Sequence, residues 1–189
     1  MRPPGLAALA LCLAAPVAAG PGAAPPQIEA SVPDFEVTSL GGQPISLQGA
    51  VGEHKAVVLV FLSTVCPYAK YFGRHLLDLD RAYESRGVLF VGIYSNNWES
   101  RDEVAEEVRE REYPFPVAKD EGHKVADRLG AERTPEAYLI DAAGKLRYRG
   151  WVKSKQESPD LQKALDAVLE GRRVPRPVTK PFGCAIDRY

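Results

Sequence analysis

A chain of 189 residues with 45% hydrophobic and 26% charged side chains has apolar material for one packed domain rather than two. The net charge of −1 excludes the basic footprint of a nucleic-acid binder, so no nucleic-acid partner is expected.

Residues 1–19 read as a signal peptide. Met1-Arg2 supplies a positive start, Leu6 to Ala15 an apolar stretch, and Val17-Ala18-Ala19 small residues for cleavage after Ala19. That stretch is too short for a stable anchor, and no other segment is apolar enough to cross a bilayer, so no stable membrane insertion is expected. An uncleaved N-terminal anchor is the alternative. Residues 20–29 form a Pro/Gly/Ala-rich linker. One domain over 30–171 follows, then a Pro-rich tail over 172–189. The leader implies export to the periplasm or the extracellular space. Cleavage removes Cys12 and leaves Cys66 and Cys184, an even pair that an oxidising compartment can bridge. The two lie so far apart in sequence that only the fold can bring them together.

Phe35-Glu36-Val37 and Ile45-Ser46-Leu47 alternate around a Gly41-Gly42 turn and predict short extended segments. Ala56 to Leu62 is a continuous apolar run, expected for a strand covered on both faces. From Cys66 to about Arg86 the pattern is helical, with Phe72, Leu76, Leu79 and Tyr83 on one stripe and Gly87 as the stop. Val88 to Tyr94 is a second buried strand. Ser100 to Glu112 is a charged helix with Val104, Ala105 and Val108 inward and its charges on a solvated face. Pro114 to Val117 is extended, His123 to Leu129 helical, and Ala137 to Ile140 a strand that turns through Asp141–Gly144 into Lys145 to Val152. Pro159 to Glu170 is a last amphipathic helix. The order is βαβ followed by ββα, an α/β three-layer sandwich around a mixed β-sheet flanked by helices.

Cys66 is the most informative residue. A strand ends at Leu62, three residues pass, and Cys66-Pro67 opens a helix. A thiol at a helix N-terminus meets unpaired backbone N–H groups and the positive end of the helix dipole, both of which favour the thiolate. Pro67 suits the first turn, where its missing N–H costs nothing. Ser63 and Thr64 are expected to cap free donors there. The plain alternative is a small core residue, since free cysteine is often buried. Tyr68 is expected to flank the sulfur, and Lys70 either to hold the thiolate or to be solvated. Trp98 and Trp151 are expected to pack, with a place for Trp98 along a substrate groove as the alternative. His54, His75 and His123 lack metal-ligand spacing, so no metal site is expected.

Val58 to Leu62 followed by Cys66-Pro67, with Thr134-Pro135 ahead of Glu136 to Lys145, resembles thioredoxin-like redoxins of the AhpC/TSA group. The resemblance covers roughly residues 30–170. It implies a thioredoxin-like fold, a cis proline at Pro135 beside the reactive sulfur, and no cofactor. It also implies a substrate groove shaped by Thr134, Pro135, Pro67, Tyr68, Ser63 and Thr64. Two departures are plain. The position of the second cysteine in Cys-x-x-Cys holds Ala69, so no dithiol cycle runs within the motif. The peroxiredoxin loop Pro-x-x-x-Thr-x-x-Cys is met only by Ser63, with Leu59 at the proline position, and no arginine maps securely onto the peroxide-binding one, Arg133 being the candidate nearby in sequence. The tail segment Thr179 to Ile186 resembles a C-terminal Gly-Cys segment of a subgroup of these proteins, in which Cys184 would pair with Cys66. The implied function is thiol-disulfide oxidoreduction: Cys66 is the nucleophile, Cys184 resolves, and the partners are disulfide or thiol proteins together with an unidentified reductant. One alternative is a Cys-dependent peroxidase acting on a peroxide substrate through a sulfenic acid. Another is a non-catalytic thioredoxin-fold binding module with a permanent Cys66–Cys184 bridge.

Overall fold

The computed structural model describes residues 25–153 and 159–189; the expected signal peptide lies outside the described residues. Strand β1 (Glu36–Thr38) pairs antiparallel with β2 (Pro44–Ser46). The expected extended run does not continue through Leu47. Ser46 instead accepts a hydrogen bond at its Oγ from the Gly49 N–H at 3.0 Å and starts α1 (Leu47–Glu53). Two glycines in that short helix hide it from a propensity reading.

The main elements follow as β3 (Ala56–Leu62), α2 (Pro67–Tyr83), β4 (Val88–Tyr94), α3 (Arg101–Arg111), β5 (Val117–Lys119) and α4 (Lys124–Leu129). After them come β6 (Arg133–Thr134), β7 (Glu136–Asp141), β8 (Leu146–Gly150), α5 (Asp160–Leu169) and β9 (Cys184–Ala185). Five strands form one sheet in the order β5-β4-β3-β7-β8. Strands β3, β4 and β5 run parallel, and β7 and β8 are antiparallel, so the sheet is mixed.

Alternation along β3 assigns the two faces. Val58, Val60 and Leu62 join Leu76 and Leu79 of α2, Val104 of α3, and Leu161 and Leu165 of α5. Val57, Leu59 and Phe61 join Phe35, Leu47 and residues Val125 and Leu129 of α4. Helices therefore cover both faces, the three-layer arrangement expected. Every residue of β3 is buried, as a central strand requires. Each such side chain contributes roughly 1.5–3 kcal/mol by leaving water. Two details of α3 differ from expectation. Ala105 is only partly covered, and Glu107 is buried, held by Arg111 at 3.1 Å.

Both ends of the described chain join the domain. Within the expected linker, Pro26 is buried and the Glu29 N–H donates to the Leu146 carbonyl at 2.8 Å. The tail is stitched to the edge of β8, where Arg149 and residues 177–179 exchange two backbone hydrogen bonds. The Thr179 Oγ1 lies 2.7 Å from the Tyr148 hydroxyl and accepts from the Trp151 N–H at 3.1 Å. Gly150 permits this crossing, since its φ is 143° and a Cβ there would sit 2.0 Å from the Thr179 Oγ1. The tail then crosses to β6, where β9 pairs antiparallel with Thr134 opposite Cys184. A Pro-rich composition gave no sign of this strand.

Candidate active site

Strand β3 delivers the chain to the centre of one sheet edge, and Cys66 is the residue that turns it into α2. Its backbone is extended, its carbonyl accepts the Lys70 N–H at 3.0 Å, and Pro67 occupies the first helical position. Ser63 and Thr64 do not cap the helix, contrary to expectation. Ser63 is buried, and Thr64 is turned toward Glu99, donating its N–H at 2.7 Å and its hydroxyl at 3.2 Å to Oε1. Glu99 is itself buried and so fixes the loop between β3 and the sulfur.

The loop before β7 approaches from the other side. The Thr134–Pro135 peptide bond is cis, as the resemblance implied. Glu136 braces this bend. Its Oε2 accepts the N–H groups of Glu132 at 3.0 Å and Arg133 at 3.2 Å, and its Oε1 accepts the Tyr138 hydroxyl at 3.0 Å. Burial raises the Glu136 pKa, partly offset by those donors. The bend places Thr134 over the sulfur, and the Cys66 thiol donates to the Thr134 carbonyl at 2.9 Å.

Cys184 completes the site from β9. Strand pairing sets it opposite Thr134, and its thiol hydrogen-bonds the Cys66 sulfur; both cysteines are free thiols. Gly183 makes the approach possible, because a Cβ there would lie 2.1 Å from the Thr134 carbonyl oxygen. Phe182 lies against Tyr68, Phe72 and Trp151 at centroid distances of 5.4, 5.9 and 6.2 Å. With the tail in place Cys66 is 0% exposed.

The two thiols shift in opposite directions. Burial pushes Cys66 up, but the Cys184 thiol, the Ala69 N–H, the Thr134 hydroxyl and the Cys184 backbone together bring it below its ordinary value. In the neutral state the Thr134 Oγ1 has no partner among the described residues, so ionised Cys66 offers it an acceptor. Cys184 is pushed up to about 11 by burial and by its bond and proximity to Cys66, with Arg133 pulling the other way. The arrangement suits one nucleophilic sulfur and one neutral thiol that donates to it.

All eight expected site residues border this region except that Ser63 and Thr64 serve the loop rather than the helix end. Tyr68 stands at the rim beside Phe182. Trp151 packs there, and its Nε1 donates to Asp160 at 3.0 Å, whereas Trp98 does not pack and is 46% exposed. The sequence reading missed Glu99, Glu136 and Phe182. The aromatic residue two positions before Cys184 was the one visible signal. The Arg133 Nη1 donates to the Gly183 carbonyl at 3.2 Å and so holds the tail, and its charge favours the ionised form of Cys184.

The AhpC/TSA family model matches residues 28–149, well over half of the chain. This chain belongs to the AhpC/TSA family. Among curated relatives, the thiol-disulfide oxidoreductase ResA of Bacillus thuringiensis (strain Al Hakam) is 32% identical over 120 residues, covering 64% of this chain and 67% of that protein. An uncharacterized conserved protein from Geobacillus kaustophilus has a solved structure that superposes with a TM-score of 0.78 at 31% identity, over 85% of this chain and 92% of that one. A putative thiol:disulfide interchange protein DsbE from Chlorobium tepidum shares the fold, with a TM-score of 0.68 at 19% identity over 76% and 99% of the two chains. The AhpC/TSA match includes Cys66 and Thr134-Pro135 and stops short of Cys184. The tail thus lies beyond the part that defines this family member.

Proposed function

We propose that this AhpC/TSA member is a thiol-disulfide oxidoreductase of the thioredoxin-like type in which Cys66 is the nucleophile and Cys184 the resolving thiol. The contact between the two sulfurs beside cis-Pro135 carries this reading. The Cys66 thiolate attacks one sulfur of a partner disulfide, and the partner's other sulfur leaves as a thiolate and takes a proton from water. Cys184 then loses its proton to water and attacks the Cys66 sulfur of the mixed disulfide. The Cys66–Cys184 bond forms, and the partner's second sulfur departs as a thiol after protonation. One partner disulfide is reduced and the two thiols of this chain are oxidised. An external dithiol returns them to the starting state. Thr134 donates to the ionised sulfur, and Pro135, Pro67 and Tyr68 border the path of the partner. The single Cys-Pro motif and the Gly-Cys tail support membership of a subgroup with a distant resolving cysteine. Residues 1–19 export it.

The relative named above, 32% identical over 120 residues, is a thiol-disulfide oxidoreductase, and the second thiol in contact with Cys66 is what disulfide exchange requires. The thiol-disulfide reading is therefore preferred. Trapping tests it. Cys184→Ser incubated with a disulfide-bonded substrate protein is expected to accumulate a mixed disulfide through Cys66, and Cys66→Ser is expected to form none. Equal turnover by wild type and Cys66→Ser overturns the assignment. A Cys66–Cys184 pair that an external dithiol cannot reduce identifies the permanent bridge instead.

A further inference from the structure

Strand β9 occupies the place where a partner has to lie. Cys66 is 0% exposed beneath it, so no disulfide sulfur reaches Cys66 while β9 is paired with β6. Tail and partner exclude one another, and the tail's seat therefore describes the partner's. The pairing of Thr134 with Cys184 and of Arg133 with Ala185 is a main-chain ladder, open to any extended segment. Selectivity has to come from the side chains at the three positions that end at the sulfur. At the last sits a cysteine, opposite Thr134. At the middle one sits Gly183, where a Cβ would be 2.1 Å from the Thr134 carbonyl oxygen. At the first sits Phe182, ringed by Tyr68, Phe72 and Trp151 within 6.2 Å.

We propose that Phe182-Gly183-Cys184 is a built-in stand-in for the substrate. The site beside Cys66 takes an extended peptide that carries an aromatic residue and then glycine immediately before its disulfide-bonded cysteine, paired antiparallel to β6. The proposal rests on the thiol-disulfide reading above. In the cycle, β9 lifts from β6, the partner strand takes its register, and the partner's cysteine sulfur forms the mixed disulfide with Cys66 while its former mate leaves as a thiolate. The return of β9 then does two things at once. It brings Cys184 to the Cys66 sulfur, and it displaces the partner strand from β6 as the partner's thiolate leaves. Resolution and product release become one event.

Peptides rather than variants carry the test, so the folded chain stays intact. Hexapeptides Lys-Pro-Phe-Gly-Cys-Ala, with Phe or Gly replaced in turn by Ala and Val, are capped at the cysteine as mixed disulfides with a chromogenic aryl thiol. The aryl thiol released in a single turnover of the full chain gives the rate constant. Replacing Phe by Ala is expected to lower it roughly tenfold, the scale of one lost aromatic contact. Replacing Gly by Val is expected to lower it by at least as much. A Trp151→Ala variant is expected to narrow the Phe-to-Ala difference between peptides. Equal rates for all three peptides with wild type, each well above those of Cys66→Ser, leave the thiol chemistry standing and overturn the register proposal. Rates no faster than those of Cys66→Ser overturn the thiol-disulfide reading itself.

Discussion

Donors from three distant parts of the chain converge on the Cys66 sulfur: the Ala69 N–H, the Thr134 hydroxyl and the Cys184 thiol. Desolvation is the largest single influence and opposes ionisation, so the lowered pKa depends on all of them together. Removing one donor moves the balance. Cys184→Ala is expected to shift the pH midpoint of Cys66 alkylation upward, toward the 9.0 of an unperturbed thiol. Cys184→Ser keeps a hydroxyl donor and is expected to hold the midpoint below that of Cys184→Ala. Equal midpoints in the two variants would show that the Cys184 hydrogen bond is not what lowers Cys66. At this scale the sequence was readable where chemistry is local. The thiol at a strand-to-helix junction and the Thr-Pro pair both announce themselves within a few residues. Glu99 and Glu136 do not, because nothing near Glu99 in sequence tells that it accepts from Thr64, 35 positions away.

The long strands followed from continuous apolar runs that are buried on both faces, and the helices α2, α3 and α5 from hydrophobic period, since each of these buries a face that the sequence spells out. The elements missed are those whose stability comes from somewhere else. Helix α1 contains two glycines and exists because Ser46 caps it and Leu47 and Ala50 bury against the sheet. Strand β9 is two residues long and exists because β6 offers it partners and Gly183 lets it come close. Gly183→Ala is accordingly expected to lift β9 without unfolding the domain. A Cβ against the backbone oxygen costs on the order of 1–3 kcal/mol. Local opening should become about tenfold or more populated, and Cys66 alkylation at a pH where the thiol is fully ionised should accelerate by the same factor. An unchanged alkylation rate in a Gly183→Ala chain of native melting temperature would mean that β9 does not shield the sulfur.

Across the whole molecule, the tail ties the β8 edge to the far side of the active-site bend and then runs on over α4. There the Arg188 guanidinium bonds the Ala131 carbonyl at 2.7 Å and pairs with Asp127 at 2.9 Å. Joining Cys66 to Cys184 covalently closes most of the domain into one loop. In the chain-entropy picture a loop of about 100 residues is stabilised by roughly 4.7 kcal/mol. The oxidised protein is thus expected to need markedly more denaturant to unfold than the reduced one, and coincident midpoints would mean that the bridge strains the fold by as much as it constrains the unfolded chain. The architecture was legible from the order of strands and helices. The tail's course was not, because proline-rich sequence carries no period and its docking is written in side chains scattered over β8, β6 and α4. The stitch at Thr179 has a kinetic consequence. On the proposed cycle it holds the segment that carries Cys184 only a few residues from the sulfur that this thiol would attack, so even a detached tail would act as a tethered reagent, present at an effective concentration on the order of millimolar. In that cycle a soluble thiol more dilute than that loses the race for the mixed disulfide, so the swing of a short leash sets the pace of resolution and the supply of reductant sets only the return of the two thiols.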